Sequence, residues 1–465
     1  MFDWNGKTVV IIGAARQGIA LARYLARRGA RVRLTDQQPL EEFAEARRSL
    51  AELPIEWVCG GHPLSLLEGA DLLCPSGGVP LELPLIVVAR QRGIPLSNDS
   101  QIFLEDAPCK VIGITGSAGK TTTTTLVGRM AEAAINAHSQ LLGCDIPHRV
   151  WVGGNIGSPL LSDLDEITPS SLAVMELSSF QLEIMTRSPQ VAAILNITPN
   201  HLDRHGTMEA YTAAKAHILD FQTADDVAIL GRDDPGAWGL VSRVRGEAGS
   251  FGREQPSPAS VGTFVRGNGL FLQPRQAAEV EVMSLADIAL RGEHNLANVL
   301  AACAIAYAAG LPPQAMRNGV VGFRGVAHRL EFVRSWGGAD WYNDSIATAP
   351  ERAMAAIRTF REPLVLLAGG RDKNLPWHDF AALAQQRVRQ LILFGEAAQK
   401  IADACAAFSL ETIRCADLHS ALQRAASIVQ PGDVVLLSPG GTSFDEFRDF
   451  EERGEVFRQW VMALP

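Results

Sequence analysis

The chain has 465 residues, too many for a single hydrophobic core and enough for two to four domains. Its 42 lysines and arginines stand against 51 aspartates and glutamates, a formal net charge of -9 with no basic run, which argues against nucleic acid because a phosphate backbone asks for a clustered positive face. The seven cysteines are scattered and never form CxxC, so they read as reduced thiols of a cytoplasmic protein and not as a disulfide or zinc framework. The opening MFDWNGKTVVIIG has no basic segment before its apolar run and does not read as a secretory signal; residues 297–311 are apolar but short for a bilayer, which favours a buried helix.

In chain order, residues 8–12 read as a strand, followed by the turn Gly13-Ala14-Ala15-Arg16-Gln17-Gly18, a helix ending near Gly29, and a strand at 31–34 that runs into Thr35-Asp36. A βαβ start with glycines under the first helix and an acid after the second strand is a layout that binds nucleotide groups. Ala15 makes it an imperfect GxGxxG, and a purely structural turn reads nearly as well. A strand at 71–74 leads into Pro75-Ser76-Gly77-Gly78-Val79-Pro80, small residues at the same expected sheet edge, either open to a ligand or only a loop. The polar stretch 104–110 marks the first expected boundary and gives a unit over 1–108.

The middle unit, expected over 109–325, opens with a strand at 111–114, then Gly116-Ser117-Ala118-Gly119-Lys120-Thr121-Thr122 and a helix through LVGRMAEAA. Glycines at a strand-to-helix turn aim backbone N–H groups and a helix N-terminus at one point, which suits a polyphosphate. Lys120 would reach the outer phosphates and the Thr121 hydroxyl would hold Mg²⁺, although the spacing is GxxGKT where the common motif has GxxxxGK[ST]. Apolar runs at 173–177, 191–197 and 227–230 predict buried strands, whereas 245–282, richer in Gly, Pro and Ser, predicts irregular or short β structure. The last unit, 326–465, alternates again, with strands at 364–367, 391–394 and 434–437. The expected class is α/β, in three successive units.

Four side chains in the middle unit fall at the carboxyl ends of strands, where open α/β sheets place ligands. Asn155 is bracketed by glycines, Glu176 ends an apolar strand, His201 follows another, and Lys215 lies on a helix. Singly, each has a plain structural reading: an ion-paired acid, a satisfied loop histidine, a solvated lysine. Together with Lys120 and Thr121 they supply an oxygen ligand, an imidazole and a phosphate cradle, the equipment for metal-aided phosphoryl transfer.

With that combination the chain resembles the Mur ligases of peptidoglycan synthesis. TGSAGKTTT, GGNIGSP, ELSSFQLE, NITPNHLDRHG, YTAAK, GEHNLAN, HRLEF, NDSIAT and GGRDK occur in that family's order, and the closing LLSPGGTSFDEFRDFEERGEVF is similar to the glutamate-adding branch. The resemblance implies a Rossmann-like UDP-binding domain, a central P-loop ATPase-like parallel-sheet domain and a Rossmann-like C-terminal domain. It implies ATP-dependent addition of D-glutamate to UDP-N-acetylmuramoyl-L-alanine through an acyl phosphate, by a cytoplasmic monomer.

Residue by residue, it implies a UDP-sugar site at Gly13, Arg16, Gln17, Gly18, Thr35, Asp36, Ser76 and Gly77. ATP would meet Gly116, Ser117, Ala118, Gly119, Lys120, Thr121, Thr122, Asn295, Arg329 and Asp344, and glutamate would meet Thr348, Lys373, Ser443 and Phe444. Thr121, Glu176, His201 and Lys215 resemble the residues of the Mg²⁺ sites, with Lys215 carbamylated, and Lys120, His201, Lys215 and Asn155 resemble the catalytic groups. Three places depart from the family pattern: Ile346 where a lysine is common, Asn200 where an aspartate is usual, and the run Gly440-Gly441-Thr442 in place of alanine-cysteine-alanine. The rivals are a ligase of the same superfamily adding another amino acid, such as a folylpolyglutamate synthase, a nucleotide switch, against which the missing NKxD motif counts, and an NAD-dependent protein using the Gly13 turn.

Overall fold

A computed structural model describes residues 2–137, 146–373 and 375–465. The chain forms two compact units, Met1–Phe323 and Arg324–Pro465. The first contains two sheets and the second one.

The leading sheet has strands β1 (Thr8–Ile12), β2 (Arg31–Asp36), β3 (Ile55–Cys59) and β4 (Leu72–Pro75), all parallel in the order β3-β2-β1-β4. Every residue of β1 is buried, because a parallel strand covered by helices on both faces needs no polar alternation. The chain winds from β1 to β2 on one side and reaches β4 on the other. The carboxyl ends of β1 and β4 therefore flank a crevice, where Gly13 and Ser76 sit.

The second sheet comprises β5 (Lys110–Thr115), β6 (Arg149–Gly154), β7 (Ser171–Glu176), β8 (Val191–Ile194), β9 (Val227–Gly231), β10 (Glu247–Phe251), β11 (Val261–Arg266), β12 (Gly269–Gln273) and β13 (Val280–Ser284). Their order is β13-β12-β11-β10-β9-β8-β5-β7-β6, parallel from β6 to β11 and antiparallel at β12 and β13. The Gly/Pro/Ser-rich region, expected to be irregular or short β structure, is short β structure that extends this sheet by four strands, with a tight turn between β11 and β12 at Gly267, φ 58°. Strand β8 stops at Ile194, earlier than expected, and hands its last residues to a loop. The stretch 104–110 is the end of the helix Asp99–Asp106 and the start of β5. The apolar helix is Glu293–Ala308, with its second half inside the unit. Leu300 and Ile305, 1% and 0% exposed, each gain roughly 1.5–3 kcal/mol from burial.

The second unit holds β14 (Glu331–Trp336), β15 (Ala339–Asn343), β16 (Leu364–Gly369), β17 (Val388–Phe394), β18 (Thr412–Arg414) and β19 (Val434–Gly440). Their order is β14-β15-β19-β16-β17-β18, with only the β14-β15 pair antiparallel. Among the described residues no helix is long and apolar enough to cross a membrane.

Candidate active site

The turn after β5 is built from the residues that the sequence singles out. Gly119, at φ 83°, starts the helix Lys120–Asn136, and no side chain caps it. Its first-turn N–H groups are therefore available to an anion. A Cβ at Gly119 would lie 2.2 Å from Asn298 Oδ1, so the loop can pass there only without a side chain. Asn196, just after β8, holds the turn from the other side. Its Oδ1 accepts from Ala118 N–H at 2.8 Å, its Nδ2 donates to Ala118 O at 3.1 Å, and its carbonyl accepts from Ser117 N–H at 2.9 Å. Ser117 Oγ lies 3.0 Å from the Tyr211 hydroxyl and donates to Thr198 O at 2.9 Å.

Two lysines converge on this turn. Lys120 Nζ donates to Gly116 O at 2.9 Å and Lys215 Nζ to the same carbonyl at 3.0 Å, with Thr115 Oγ1 3.4 Å from the latter. Lys215 is 1% exposed and its ammonium lies over the Tyr211 ring, 4.7 Å from the centroid. Burial drives its pKa well below the usual lysine value, the neighbouring Lys120 charge drives it further, and Glu176 opposes the shift. A buried lysine held in this way is prone to lose its proton.

Glu176, at the end of β7 and 2% exposed, answers that positive charge. Its Oε2 accepts from Thr121 Oγ1 and its Oε1 from Asn155 Nδ2, both at 2.8 Å, while its backbone carbonyl accepts from Asn155 N–H at 2.9 Å. Lys120, Thr121, Asn155, Glu176 and Lys215 are therefore one cluster, assembled by the adjacent strands β5, β6 and β7 and two helices, Lys120–Asn136 and Met208–Asp220. His201 belongs to the loop after β8, in a left-handed conformation at φ 54°, exposed, with its ring edge-on to Phe180 at 5.1 Å. Among the described residues no group of three or more His, Cys, Asp and Glu side chains could hold a metal by itself.

At the crevice of the leading sheet, Gly13 has φ 101° and a Cβ there would meet Ser76 Oγ at 2.8 Å. A Cβ at Gly18 would come within 1.8 Å of Gly13 O, so both glycines are required by close approach. Asp36 Oδ2 accepts from Ala14 N–H at 2.7 Å, and Thr35, fully buried, has its hydroxyl occupied by Gly61 O and His62 Nδ1. Gln17 Nε2 donates to Gly154 O at 3.4 Å, and Arg204 donates to Gly78 O and Val79 O at 3.2 Å. The crevice thus adjoins the cluster within one compact unit. Asn295 lies at the start of the buried helix and accepts from Asn298 at 3.2 Å.

In the second unit Asp344 follows β15 and is 5% exposed; its oxygens accept from Ser438 Oγ at 2.8 Å and Leu330 N–H at 3.2 Å. Burial pushes its pKa up to about 7, against these two bonds and the charges of Arg329 and Arg352. Ser443 is buried, Phe444 is 60% exposed, Lys373 is exposed and Thr348 is half-buried in the turn before the helix Pro350–Thr359. Arg453, fully buried, fastens that region by donating to Ser345 Oγ, Ser345 O and Gly441 O at 2.9, 2.8 and 3.2 Å. Sequence reasoning passed over Asn196, Asn298, Arg204 and Arg453. For Asn196 a signal existed, since it is a polar residue near the carboxyl end of the apolar run 191–197, the ligand edge of such a sheet.

A glycine turn, an uncapped helix and a lysine pair beside a buried carboxylate, on a parallel sheet, define a phosphate-handling α/β protein. Three family models match the chain: the Mur ligase MurD-like N-terminal domain over residues 7–98, the Mur ligase middle domain over 114–306, and the Mur ligase glutamate ligase domain over 328–441. The chain belongs to the Mur ligase family. A UDP-N-acetylmuramoylalanine–D-glutamate ligase of Symbiobacterium thermophilum is 41% identical to it over 456 residues, 98% of this chain and 97% of that protein. The solved UDP-N-acetylmuramate-alanine ligase MurC of Thermotoga maritima shares its fold with a TM-score of 0.56 at 19% identity, covering 98% of this chain and 99% of that one. FolC of E. coli in complex with ADP does so with a TM-score of 0.54 at 15% identity, covering 78% and 92%. The fold, shared with that alanine ligase and with FolC, thus does not choose an acceptor. The MurD-like N-terminal match and the full-length relative do.

Proposed function

We propose that this protein is an ATP-dependent ligase that joins D-glutamate to UDP-N-acetylmuramoyl-L-alanine, a cytoplasmic step of peptidoglycan synthesis. The observation that carries the chemistry is the cluster of Lys120, Thr121, Asn155, Glu176 and Lys215 at the mouth of the glycine turn; the kinship over the whole chain carries the substrates.

A carboxylate resists attack by an amine because its leaving group would be oxide. Transfer of the γ-phosphate to the alanyl carboxylate gives an acyl phosphate and ADP. The glutamate amine then attacks the acyl carbon, and the tetrahedral adduct expels phosphate to leave the amide. The N–H groups after Gly119 and the Lys120 ammonium would receive the phosphates and offset the charge that builds during transfer. Lys120 now donates to Gly116 O, so it would exchange that bond for a phosphate oxygen. Asn155, bound to Glu176, would present its remaining amide polarity to the reacting carboxylate.

Thr121, Glu176 and His201 offer a hydroxyl, a carboxylate and an imidazole to Mg²⁺, which commonly takes few protein ligands and completes its shell with water and phosphate. The cation would supply charge neutralisation on the transferred group. Two lysines beside Glu176 oppose a cation there as long as both are charged. Carbamylation of Lys215 resolves this: the neutral amine adds CO₂, forms an N–C bond, releases a proton, and turns a cationic group into an anionic oxygen donor. The leading-sheet crevice would hold the UDP-sugar through Gly13, Arg16, Gln17, Gly18, Asp36, Ser76 and Gly77. Thr35 would act through the backbone, since its hydroxyl is already bonded. Arg329, Asp344 and Asn295 would serve ATP, and Thr348, Lys373, Ser443 and Phe444 the incoming glutamate.

The test is phosphate release by the purified protein with ATP and Mg²⁺. It should require UDP-N-acetylmuramoyl-L-alanine and D-glutamate together. Turnover with L-glutamate, a diamino acid or a folate acceptor instead would overturn the assignment.

A further inference from the structure

We infer that Arg352, on the carboxyl edge of the third sheet, binds an oxyanion of the reactants, either a phosphate of the nucleotide or a carboxylate of the amino acid. The inference rests on the function proposed above. Arg352 lies in the first turn of the helix Pro350–Thr359, whose N-cap, Ala349, offers no side-chain cap. Among the described residues its Nη1 donates only to Ile346 O, at 3.4 Å, a long and weak bond for a guanidinium. Ile346 is apolar and brings no charge of its own to this turn. Arg329 lies within electrostatic reach of the same group, and its Nε is buried without an acceptor.

The buried acid whose charge acts on both arginines is bonded to neither. Asp344 has its oxygens engaged by Ser438 Oγ and Leu330 N–H, and at neutral pH burial leaves it only partly ionised. Arg352 is solvent-exposed as a residue, yet packing of its head lowers its pKa, with repulsion from Arg329 second and Asp344 opposing. Among the described residues no carboxylate is hydrogen-bonded or ion-paired to either guanidinium, although Glu351 shares the first turn, and the two lie beside an uncapped helix start that favours an anion. The position is the ligand-binding edge of a parallel sheet. It lies four residues after Thr348 and eight after Asp344 in the chain.

Arg352→Gln keeps the helix and removes the charge. Binding of ATP and of D-glutamate to the full chain is measured by calorimetry for wild type and variant, and the KM of each in the ligation assay. One reactant should lose about tenfold or more in both measurements, as expected for a lost charge-assisted hydrogen bond; a loss for ATP alone assigns the phosphate, a loss for glutamate alone the carboxylate. Adding Ile346→Lys to the variant should restore part of the loss by returning a cation to the same turn. Binding of both reactants within twofold of wild type, whatever the melting temperature does, would overturn the inference and leave Arg352 a brace for the Ile346 carbonyl. Failure of the wild type to ligate D-glutamate would count instead against the proposed function, and calorimetry would still decide Arg352.

Discussion

Replacing Asp344 by asparagine should remove the pH dependence of one part of the stability of this protein. The carboxyl is buried with two donors on it, and its pKa is pushed up to about 7 from an ordinary 3.8. Between those values the folded protein keeps a proton that the unfolded chain gives up. The stability that Asp344 contributes is therefore full below about pH 4 and is lost as the pH rises through about 7. A rise of that size corresponds to about 4 kcal/mol over that window. Asparagine stays neutral throughout, but it turns an amide N–H₂ toward one of the two donors, which costs roughly 1–3 kcal/mol at every pH. Asp344→Asn should thus be less stable than wild type at pH 4.5 and more stable by about 1–3 kcal/mol at pH 8. Urea unfolding followed by tryptophan fluorescence at pH 4.5, 6 and 8 measures the difference, in which all other titrating groups cancel; Trp336, Trp341, Trp377 and Trp460 report from this unit. A difference between the two proteins that stays constant from pH 4.5 to 8 would refute the reasoning.

Lys215→Ala should lose at least about a hundredfold in turnover, because it removes the proposed anionic oxygen donor of the cluster, and formate or acetate should restore part of it by standing where the carbamate stood. A correctly folded variant that no small carboxylate rescues would exclude carbamylation. Gly119→Ala forces a side chain onto Asn298 Oδ1 at 2.2 Å and into a left-handed backbone at φ 83°. Strain of roughly 1–2 kcal/mol at that turn should weaken ATP binding by about tenfold or more in calorimetry, and an unchanged Kd would show that the turn does not form the phosphate cradle.

The order of the chain already specified a good deal. Runs such as Val9-Val10-Ile11-Ile12 and Leu364-Val365-Leu366-Leu367 can satisfy their apolar side chains only as buried parallel strands, and the glycines after β1 and β5 mark turns that no other residue can occupy. The α/β class and the location of the glycine turn are local properties, read from neighbours in sequence. For 245–282 the sequence left irregular and short β structure both open, because Gly, Pro and Ser turns blur the period, and the edge extension β10–β13 is stabilised by the sheet it joins.

Only the tertiary structure decided which of the chemistry-bearing residues meet. Glu176, Thr121 and Asn155 are separated by 55 and 21 residues and come together because β5, β7 and β6 are neighbours in the sheet. Lys215 looks in sequence like any solvated helix lysine; burial at 1% exposure and the second ammonium of Lys120 set its proton affinity, and both depend on packing across 95 or more residues of chain, as does its bond to Gly116 O 99 residues away. Sequence carries side-chain chemistry and local backbone preference, whereas charge state and ligand geometry arise from dielectric surroundings and distances that exist only once distant strands have paired.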